Sequence, residues 1–227
     1  MKYKTLLFDV DDTLLDFQAA ERSALHLLFE KEGLLLTKEM ETTYKTINSQ
    51  LWRAFELGEI DKQTVTDTRF SRLFEVYGKQ VNGKKMGDTY REFLGEGHDL
   101  LGNSRAIITE LAENYELYIV TNGVAKTQYQ RLEKAQLTPF FKDIFVSEEV
   151  GYQKPMLAYF EHVFARIPQM EQSSTIIIGD SLASDIQGGN QAGIDTVWLN
   201  LTGISNKSPI QPTYEIDQLE QLFSILT

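Results

Sequence analysis

Three aspartates follow a short apolar run near the start of the chain. The apolar residues 6–8 precede Asp9, and Asp11 and Asp12 come two and three positions later. The run predicts a short buried parallel strand, and open α/β sheets bind their ligands at the carboxyl ends of such strands. Side chains two positions apart on an extended backbone point the same way, so Asp9 could attack an electrophile while Asp11 transfers a proton. The alternative is an Asp-rich turn that caps the next helix.

Other polar residues follow later apolar runs in the same manner. Thr121, within Thr-Asn-Gly, comes after the second run, Lys154 after the third, and Asp180 after the fourth, with Asp185 five residues further on. A hydroxyl, backbone N–H groups and an ammonium can hold phosphate oxygens. Neighbouring parallel strands lie about 4.8 Å apart, so Asp180 can reach a cation shared with Asp9. Taken singly, each group has an ordinary role as a turn, a surface lysine or a helix N-cap.

Strand and helix patterns alternate in the second half of the chain. Apolar and β-branched runs predict strands at 115–120, 144–146, 175–178 and 196–199, and an edge strand at 214–216. Helical patterns lie at 125–135, at 155–167 with a proline in first position, at 184–192 and at 219–226. This alternation predicts an α/β protein with a doubly wound parallel sheet.

Residues 16–95 have a different pattern. Apolar residues recur there at three- and four-residue spacing, as in Leu25, Leu28 and Phe29, which indicates helices. Breaks at Gly33, at Gly58 and over 78–87 predict about four helices, enough for a small bundle. We therefore expect a helical cap domain at 16–95, inserted into a core domain made of 1–15 and 96–227.

Composition limits the chemistry. The chain has 227 residues, 42% of them hydrophobic, and no cysteine, which excludes disulfides, thiolate zinc sites and cysteine nucleophiles. Its formal net charge of −11 argues against a nucleic-acid polymer as a partner. The first apolar run is too short for a signal peptide and no later run could span a membrane, so we expect a cytoplasmic protein without a membrane partner. A small phosphorylated substrate remains compatible with this charge, because a divalent cation, one lysine and helix N-termini supply local positive potential.

The motifs together resemble a known superfamily. Asp-x-Asp-x-Thr at 9–13, Thr-Asn-Gly at 121–123, the Lys-Pro pair at 154–155 and Gly-Asp-Ser at 179–181 resemble, in that order, the signature of the haloacid dehalogenase-like (HAD) phosphohydrolases. Gly-Tyr-Gln-Lys-Pro at 151–155, Trp-Leu-Asn at 198–200 and Leu-Trp at 51–52 look like the pyrimidine nucleotidase branch of its subclass I. The resemblance covers essentially the whole chain. One departure is Leu101-Gly102, where relatives usually carry Pro-Gly.

The resemblance implies a phosphomonoesterase that works through an aspartyl-phosphate. Asp9 would attack phosphorus, while Asp11 protonates the leaving alkoxide and later deprotonates water. Thr121, Asn122 and Lys154 would bind the phosphate, and Lys154 would also balance the negative charge of its oxygens during transfer.

The implied cofactor is Mg²⁺, held by oxygen ligands. The carboxylates of Asp9 and Asp180 and the backbone carbonyl of Asp11 would bind the ion directly, with Asp185 acting from outside the ligand set. No histidine or thiolate is needed for such a site.

The implied substrate is a small phosphorylated metabolite, most specifically a pyrimidine nucleoside 5'-monophosphate. Three alternatives stay open: a phosphatase of a sugar phosphate or phosphoglycolate, a phosphomutase, and a non-catalytic regulator on the same fold. A dehalogenase is disfavoured, because expelling halide needs no acid and such relatives lack a carboxylate at the position of Asp11. We expect a monomer or a small homo-oligomer.

The loops of the core would bind only the phosphate and the metal, so the helical insert would have to recognise the rest of the substrate. Trp52 and Phe55 lie three positions apart on one face of a predicted helix, and Arg69 lies further along the insert. One aromatic ring could stack on a pyrimidine base. Alternatively both rings belong to the core of the bundle and Arg69 is a surface charge.

Overall fold

The computed structural model describes residues 2–226, and the chain divides into two compact units. One unit comprises Met1–Phe17 and His98–Thr227, and the other comprises Gln18–Gly97. Each boundary of the insert lies two residues later than the sequence predicts. The two connecting segments explain this difference, because they are hydrogen-bonded to each other within the first unit: Asp16 N donates to Asp99 O and Leu101 N donates to Leu14 O, both at 2.9 Å.

The second unit is a bundle of four helices, as predicted. They are α1 (Phe17–Lys31, which starts in the first unit), α2 (Lys38–Glu56), α3 (Lys62–Val76) and α4 (Gly83–Leu94). The side chains of Thr37, Asp61 and Asn82 accept hydrogen bonds from the first-turn N–H groups of α2, α3 and α4. The predicted break over 78–87 is too long. Gly87 lies inside α4, where a Cβ atom would come within 2.3 Å of Thr66 O, so this glycine permits close packing of α4 on α3.

The first unit is built on a six-stranded sheet. Its strands are β1 (Thr5–Phe8), β2 (Glu116–Thr121), β3 (Asp143–Val146), β4 (Thr175–Gly179), β5 (Asp195–Leu199) and β6 (Tyr214–Ile216). Their order is β3-β2-β1-β4-β5-β6, and every neighbouring pair is parallel. The predicted α/β fold is confirmed. The strand order reverses at β1, and the carboxyl end of the strand at such a switch point is where open sheets bind ligands.

Both faces of the central strands are buried. On β1, Leu6 and Phe8 join one hydrophobic cluster and Leu7 joins the other, as the alternation of side chains along a strand requires. Helices α5 (Ser104–Leu111), α6 (Ala125–Lys134) and α10 (Leu222–Leu226) pack on the first face, and α8 (Leu157–Phe164) packs on the second. Two short helices, α7 (Ser147–Val150) and α9 (Gln187–Gln191), complete the unit.

Four helical segments differ from the sequence prediction. The last helix, predicted at 219–226, is α-helical only over Leu222–Leu226 and follows a 3₁₀ turn at Leu219–Gln221. The helix predicted from residue 155 begins at Leu157, because Met156 N donates to Gln153 O at 2.8 Å and closes a turn that contains the proline. The helix predicted at 184–192 opens as a wide π-helical turn, Leu182–Ile186, in which Ile186 N donates to Ser181 O. Helix α5 was not predicted, since its eight residues are too few for a clear apolar period. None of the helices within residues 2–226 is long and apolar enough to cross a membrane.

Candidate active site

Asp9 lies immediately beyond the central strand and is held by a buried lysine. Asp9 N donates to Ile178 O at 2.9 Å, which extends the β1–β4 pairing by one residue. Lys154 Nζ lies 2.7 Å from Asp9 Oδ1, 2.6 Å from Asp185 Oδ1 and 2.7 Å from Val120 O. The lysine is 1% exposed, and these three acceptors match the three protons of its ammonium group. Lys154 therefore orients Asp9 and is not a surface lysine.

Three carboxylates converge at this point. Asp9, Asp180 and Asp185 each offer one oxygen, and these oxygens lie within 4.8 Å of one another. Burial and the charges of Asp185 and Asp11 raise the pKa of Asp9 to about 7, against the opposing effect of Lys154. Burial and the neighbouring carboxylates also raise the pKa of Asp180 well above its usual value. The cluster thus carries more negative charge than one ammonium balances, and its hard oxygen donors suit Mg²⁺.

The loop after β4 fixes the second and third carboxylates of the cluster. Trp198 Nε1 donates to Asp180 O at 2.8 Å, and Ser181 N donates to Asp185 Oδ2 at 3.1 Å. A Cβ atom at Gly179 would lie 2.2 Å from Asp185 Oδ2. Only glycine at this strand end leaves room for Asp185 to reach back to Lys154.

The end of β2 and the loop that follows it bring Thr121 and Asn122 to the same edge. Thr121 Oγ1 accepts hydrogen bonds from Gly123 N at 3.1 Å and from Gln128 Nε2 at 2.9 Å. The Asn122 amide bonds to the backbone of Lys154 on both sides, as donor to its O and as acceptor from its N, each at 2.9 Å. The side chain of Asn122 therefore positions the Lys154 loop, while the Thr121 hydroxyl keeps its own proton to donate.

Asp11 accepts hydrogen bonds from two residues that the sequence motifs do not indicate. Arg131 Nη1 pairs with Asp11 Oδ1, and Gln128 Nε2 donates to Asp11 Oδ2 at 3.0 Å. Gln128 and Arg131 are buried and lie three positions apart on α6. In the sequence, these two polar residues three positions apart, just after Thr-Asn-Gly, are the feature that could indicate partners for Asp11. The same spacing is also typical of a helix face exposed to solvent. Next to Asp11, Asp12 caps α1, since its Oδ1 accepts a hydrogen bond from Phe17 N at 3.0 Å.

Comparison with known proteins identifies the family. The sequence model of the family described as haloacid dehalogenase-like hydrolase matches residues 6–199. This chain belongs to the haloacid dehalogenase-like hydrolases. The match runs from β1 to the end of β5, so it spans every strand end that contributes to the carboxylate cluster.

Several relatives of this HAD hydrolase match over nearly their whole length. The HAD-hydrolase YfnB of Bacillus subtilis (strain 168) is 55% identical over 99% of this chain and 96% of that one. The pyrimidine 5'-nucleotidase PynA of Streptococcus pneumoniae is 40% identical over 100% and 96% of the two chains, and the pyrimidine 5'-nucleotidase YjjG of Escherichia coli is 28% identical over 100% and 99%. A crystal structure of B. subtilis YfnB bound to magnesium has a TM-score of 0.96, with 54% identity and 100% coverage of both chains.

The predicted specificity residues of this HAD hydrolase lie within the helical unit. Trp52 is half-buried and its ring packs edge-on against Phe55, with the ring centroids 5.7 Å apart. Phe55 is buried in a cluster with Leu51 and Val65. Arg69 is only 3% exposed, and its guanidinium lies 4.4 Å from the centre of the Tyr90 ring. Arg69 is therefore a buried cation of the bundle and not the surface charge considered as an alternative.

Arg69 is also incompletely satisfied. Its Nε, which is buried, has no hydrogen-bond partner among residues 2–226. Buried polar atoms of this kind require an explanation, such as a bound water or ligand. Trp52 and Phe55 pack against other side chains of the bundle, whereas Arg69 keeps one buried N–H group without a partner in it.

Proposed function

We propose that this hydrolase is a Mg²⁺-dependent phosphomonoesterase in which Asp9 is the nucleophile. The observation that carries the proposal is the position of the Asp9 carboxylate. It lies at the switch point of the sheet, bonded to a buried ammonium, beside two further carboxylates and two residues before Asp11. The nucleophile Asp9, the cation Lys154 and the metal-binding carboxylates thus lie together at the carboxyl ends of neighbouring strands. Asp11, the proposed proton carrier, lies next to them.

The carboxylate cluster fits a divalent cation. Asp9 and Asp180 would bind it through their carboxylates and Asp11 through its backbone carbonyl, while Asp185, already bonded to Lys154, would support the site from one side. When bound, Mg²⁺ supplies positive charge that offsets the carboxylates and the phosphate oxygens. Its presence favours the ionised form of Asp9, which the metal-free site disfavours.

The chain's own residues then perform the transfer in two steps. In the first, an Asp9 oxygen bonds to phosphorus, the bond from phosphorus to the alkoxide oxygen breaks, and Asp11 gives its proton to that oxygen. In the second, water attacks phosphorus, Asp11 accepts the water proton, and Asp9 leaves as a free carboxylate. Inorganic phosphate and an alcohol are the products, and Asp11 ends with the proton it began with.

Lys154 and Thr121 would bind the transferred phosphoryl group. Lys154 presents a positive charge next to the attacking Asp9, which suits the charge that phosphoryl transfer places on the equatorial oxygens. Both acceptor positions of the Thr121 hydroxyl are filled by N–H donors. Its O–H group is therefore directed to donate, and a phosphate oxygen is the natural acceptor.

The proposed substrate is a pyrimidine nucleoside 5'-monophosphate. Support comes from PynA and YjjG, which are named as pyrimidine 5'-nucleotidases and match this chain over nearly all of their length. Relatives named for other small phosphates are more distant than PynA, such as the N-acylneuraminate-9-phosphatase of Homo sapiens at 28% identity. The corresponding setting is the cytoplasm, with the enzyme acting as a monomer or small homo-oligomer.

A phosphate-release panel tests this function. The purified protein is assayed with Mg²⁺ against uridine, thymidine and cytidine 5'-monophosphates, purine nucleotides, sugar phosphates and phosphoglycolate, with EDTA and Asp9→Asn as controls. We expect the highest kcat/KM for a pyrimidine nucleotide and no release in either control. A sugar phosphate as the best substrate would overturn the nucleotide assignment, and release unaffected by EDTA would overturn the metal dependence.

A further inference from the structure

Helix α6 holds both oxygens of the proposed proton carrier. Arg131 Nη1 bonds to Asp11 Oδ1, and Gln128 Nε2 bonds to Asp11 Oδ2 at 3.0 Å. The arginine side chain is fully buried, whereas that of Asp11 is 30% exposed. The contact thus joins a fixed partner inside the core to a carboxylate that borders solvent.

The orientation of the Gln128 amide is set by the arginine. Gln128 Oε1 accepts a hydrogen bond from Arg131 Nη1 at 3.2 Å, so its Nε2 is the end that faces Asp11. The same Nε2 also donates to Thr121 Oγ1 at 2.9 Å. One amide group therefore links the proton carrier to the phosphate-binding hydroxyl, and Arg131 determines which way that amide points.

The Thr-Asn-Gly loop at 121–123 packs directly on Gln128. A Cβ atom at Gly123 would lie 2.5 Å from both Cγ and Cδ of Gln128. Glycine at this position lets the loop close down over the glutamine side chain. An arginine serving only to stabilise the core would not need this connection to two residues of the reaction.

We propose that Arg131 and Gln128 are positioning residues, which fix the direction of the Asp11 carboxylate for proton donation to the leaving group. This inference rests on the proposed phosphomonoesterase function. The terminal torsion of an aspartate side chain is broad and weakly restrained, so its direction has to come from hydrogen bonds. A reacting group misplaced by about 1 Å can cost roughly a hundredfold in rate.

The test compares leaving groups. The value of kcat/KM covers the steps up to formation of the aspartyl-phosphate, so it reports on proton donation by Asp11. A nucleotide has a poor alkoxide leaving group and needs the proton, whereas p-nitrophenyl phosphate has a good one and does not. We expect Arg131→Met to lower kcat/KM for uridine monophosphate by about 10- to 100-fold and for the aryl phosphate by less than about 3-fold. Arg131→Lys should recover part of the loss, and Gln128→Leu should show the same selectivity.

Controls separate positioning from folding. Lys134→Met removes an exposed basic side chain from the same helix and should leave both substrates unchanged. Equal losses on the two substrates in Arg131→Met, or no loss on either, would overturn the inference. If Arg131→Met does not fold, Gln128→Leu tests the inference instead, through the ratio of its losses in kcat/KM on uridine monophosphate and on p-nitrophenyl phosphate. A wild-type protein that releases phosphate from neither substrate would instead refute the proposed function, and a selective loss in Asp11→Asn without one in the α6 variants would refute the positioning role alone.

Discussion

The ammonium nitrogen of Lys154 lies 2.7 Å from Oδ1 of Asp9, with both residues buried at the carboxyl end of the central strand. Burial alone would lower the pKa of the lysine, but the carboxylates of Asp185 and Asp9 raise it above its usual value. The lysine is therefore charged, and one positive charge faces three carboxylates. Because of this imbalance, we expect removal of the lysine to destabilise the metal-free protein and removal of the Asp9 charge to stabilise it.

Asp9→Asn should abolish turnover and stabilise the metal-free protein. The pKa of Asp9 is raised from 3.8 to about 7 on folding. Its contribution to stability is therefore fully present below about pH 4 and is lost as the pH rises through about 7. In EDTA, the melting temperature of the variant should exceed that of the wild type by several degrees at about pH 8 and by much less at about pH 5. A gap that does not grow with pH would contradict the electrostatic account.

Lys154→Met should destabilise the metal-free protein. The substitution leaves Asp9 and Asp185 without their shared cation, and breaking a buried ion pair from one side costs about 3–5 kcal/mol. Loss of the charge beside the phosphoryl group should also reduce kcat/KM by roughly 100-fold or more. Urea unfolding in EDTA measures the first effect, with Lys142→Met as a control at an exposed lysine. A variant as stable as this control would show that Lys154 does not balance the cluster.

Asp11→Asn should discriminate between leaving groups. An amide cannot donate the carboxyl proton that a departing alkoxide needs, so kcat/KM for a nucleoside monophosphate should fall by about 10²- to 10⁴-fold. Hydrolysis of p-nitrophenyl phosphate should fall far less, because its leaving group is stable as an anion. Equal losses on both substrates would remove Asp11 from the acid role.

Trp52→Ala tests whether the helical unit recognises the base. If the Trp52 ring stacks on a pyrimidine, a contact worth about 1–3 kcal/mol, kcat/KM for uridine or thymidine monophosphate should drop roughly 10- to 100-fold. Trp52→Phe keeps an aromatic ring next to Phe55 and should lose less. Hydrolysis of a small aryl phosphate should change little in either variant. A parallel loss on all substrates would place Trp52 in the packing of the bundle.

The positions of the strands and their polar ends could be predicted from the sequence. Residues 6–8 and 176–178 are apolar runs, and parallel pairing in register brings Asp9 next to the end of β4. Any residue that directly follows such a strand is placed by the sheet itself. This is why the sequence predicts the positions of Asp9 and Asp180, whereas Lys154 lies eight residues beyond the end of β3, after α7, and its prediction depends on the Lys-Pro motif.

The partners of Asp11 could not be predicted in this way. Gln128 and Arg131 lie 117 and 120 residues from Asp11 in the chain, and nothing in a local pattern links positions so far apart. Polar residues at i and i+3 on a helix usually face solvent. The start of α8 was misplaced for a related reason, because a proline fits the first turn of a helix and the turn before it equally well.

The most direct test of the account is the chemical trapping of the phosphorylated enzyme. The wild-type protein is mixed with a nucleoside monophosphate and Mg²⁺ and quenched in acid within the first turnover, and the peptides are then analysed by mass spectrometry. We predict one phosphoryl group on the peptide of residues 6–14, located at Asp9 and absent in Asp9→Asn. A phosphoryl group on any other residue, or steady turnover by the Asp9→Asn variant, would contradict the central claim that Asp9 is the nucleophile.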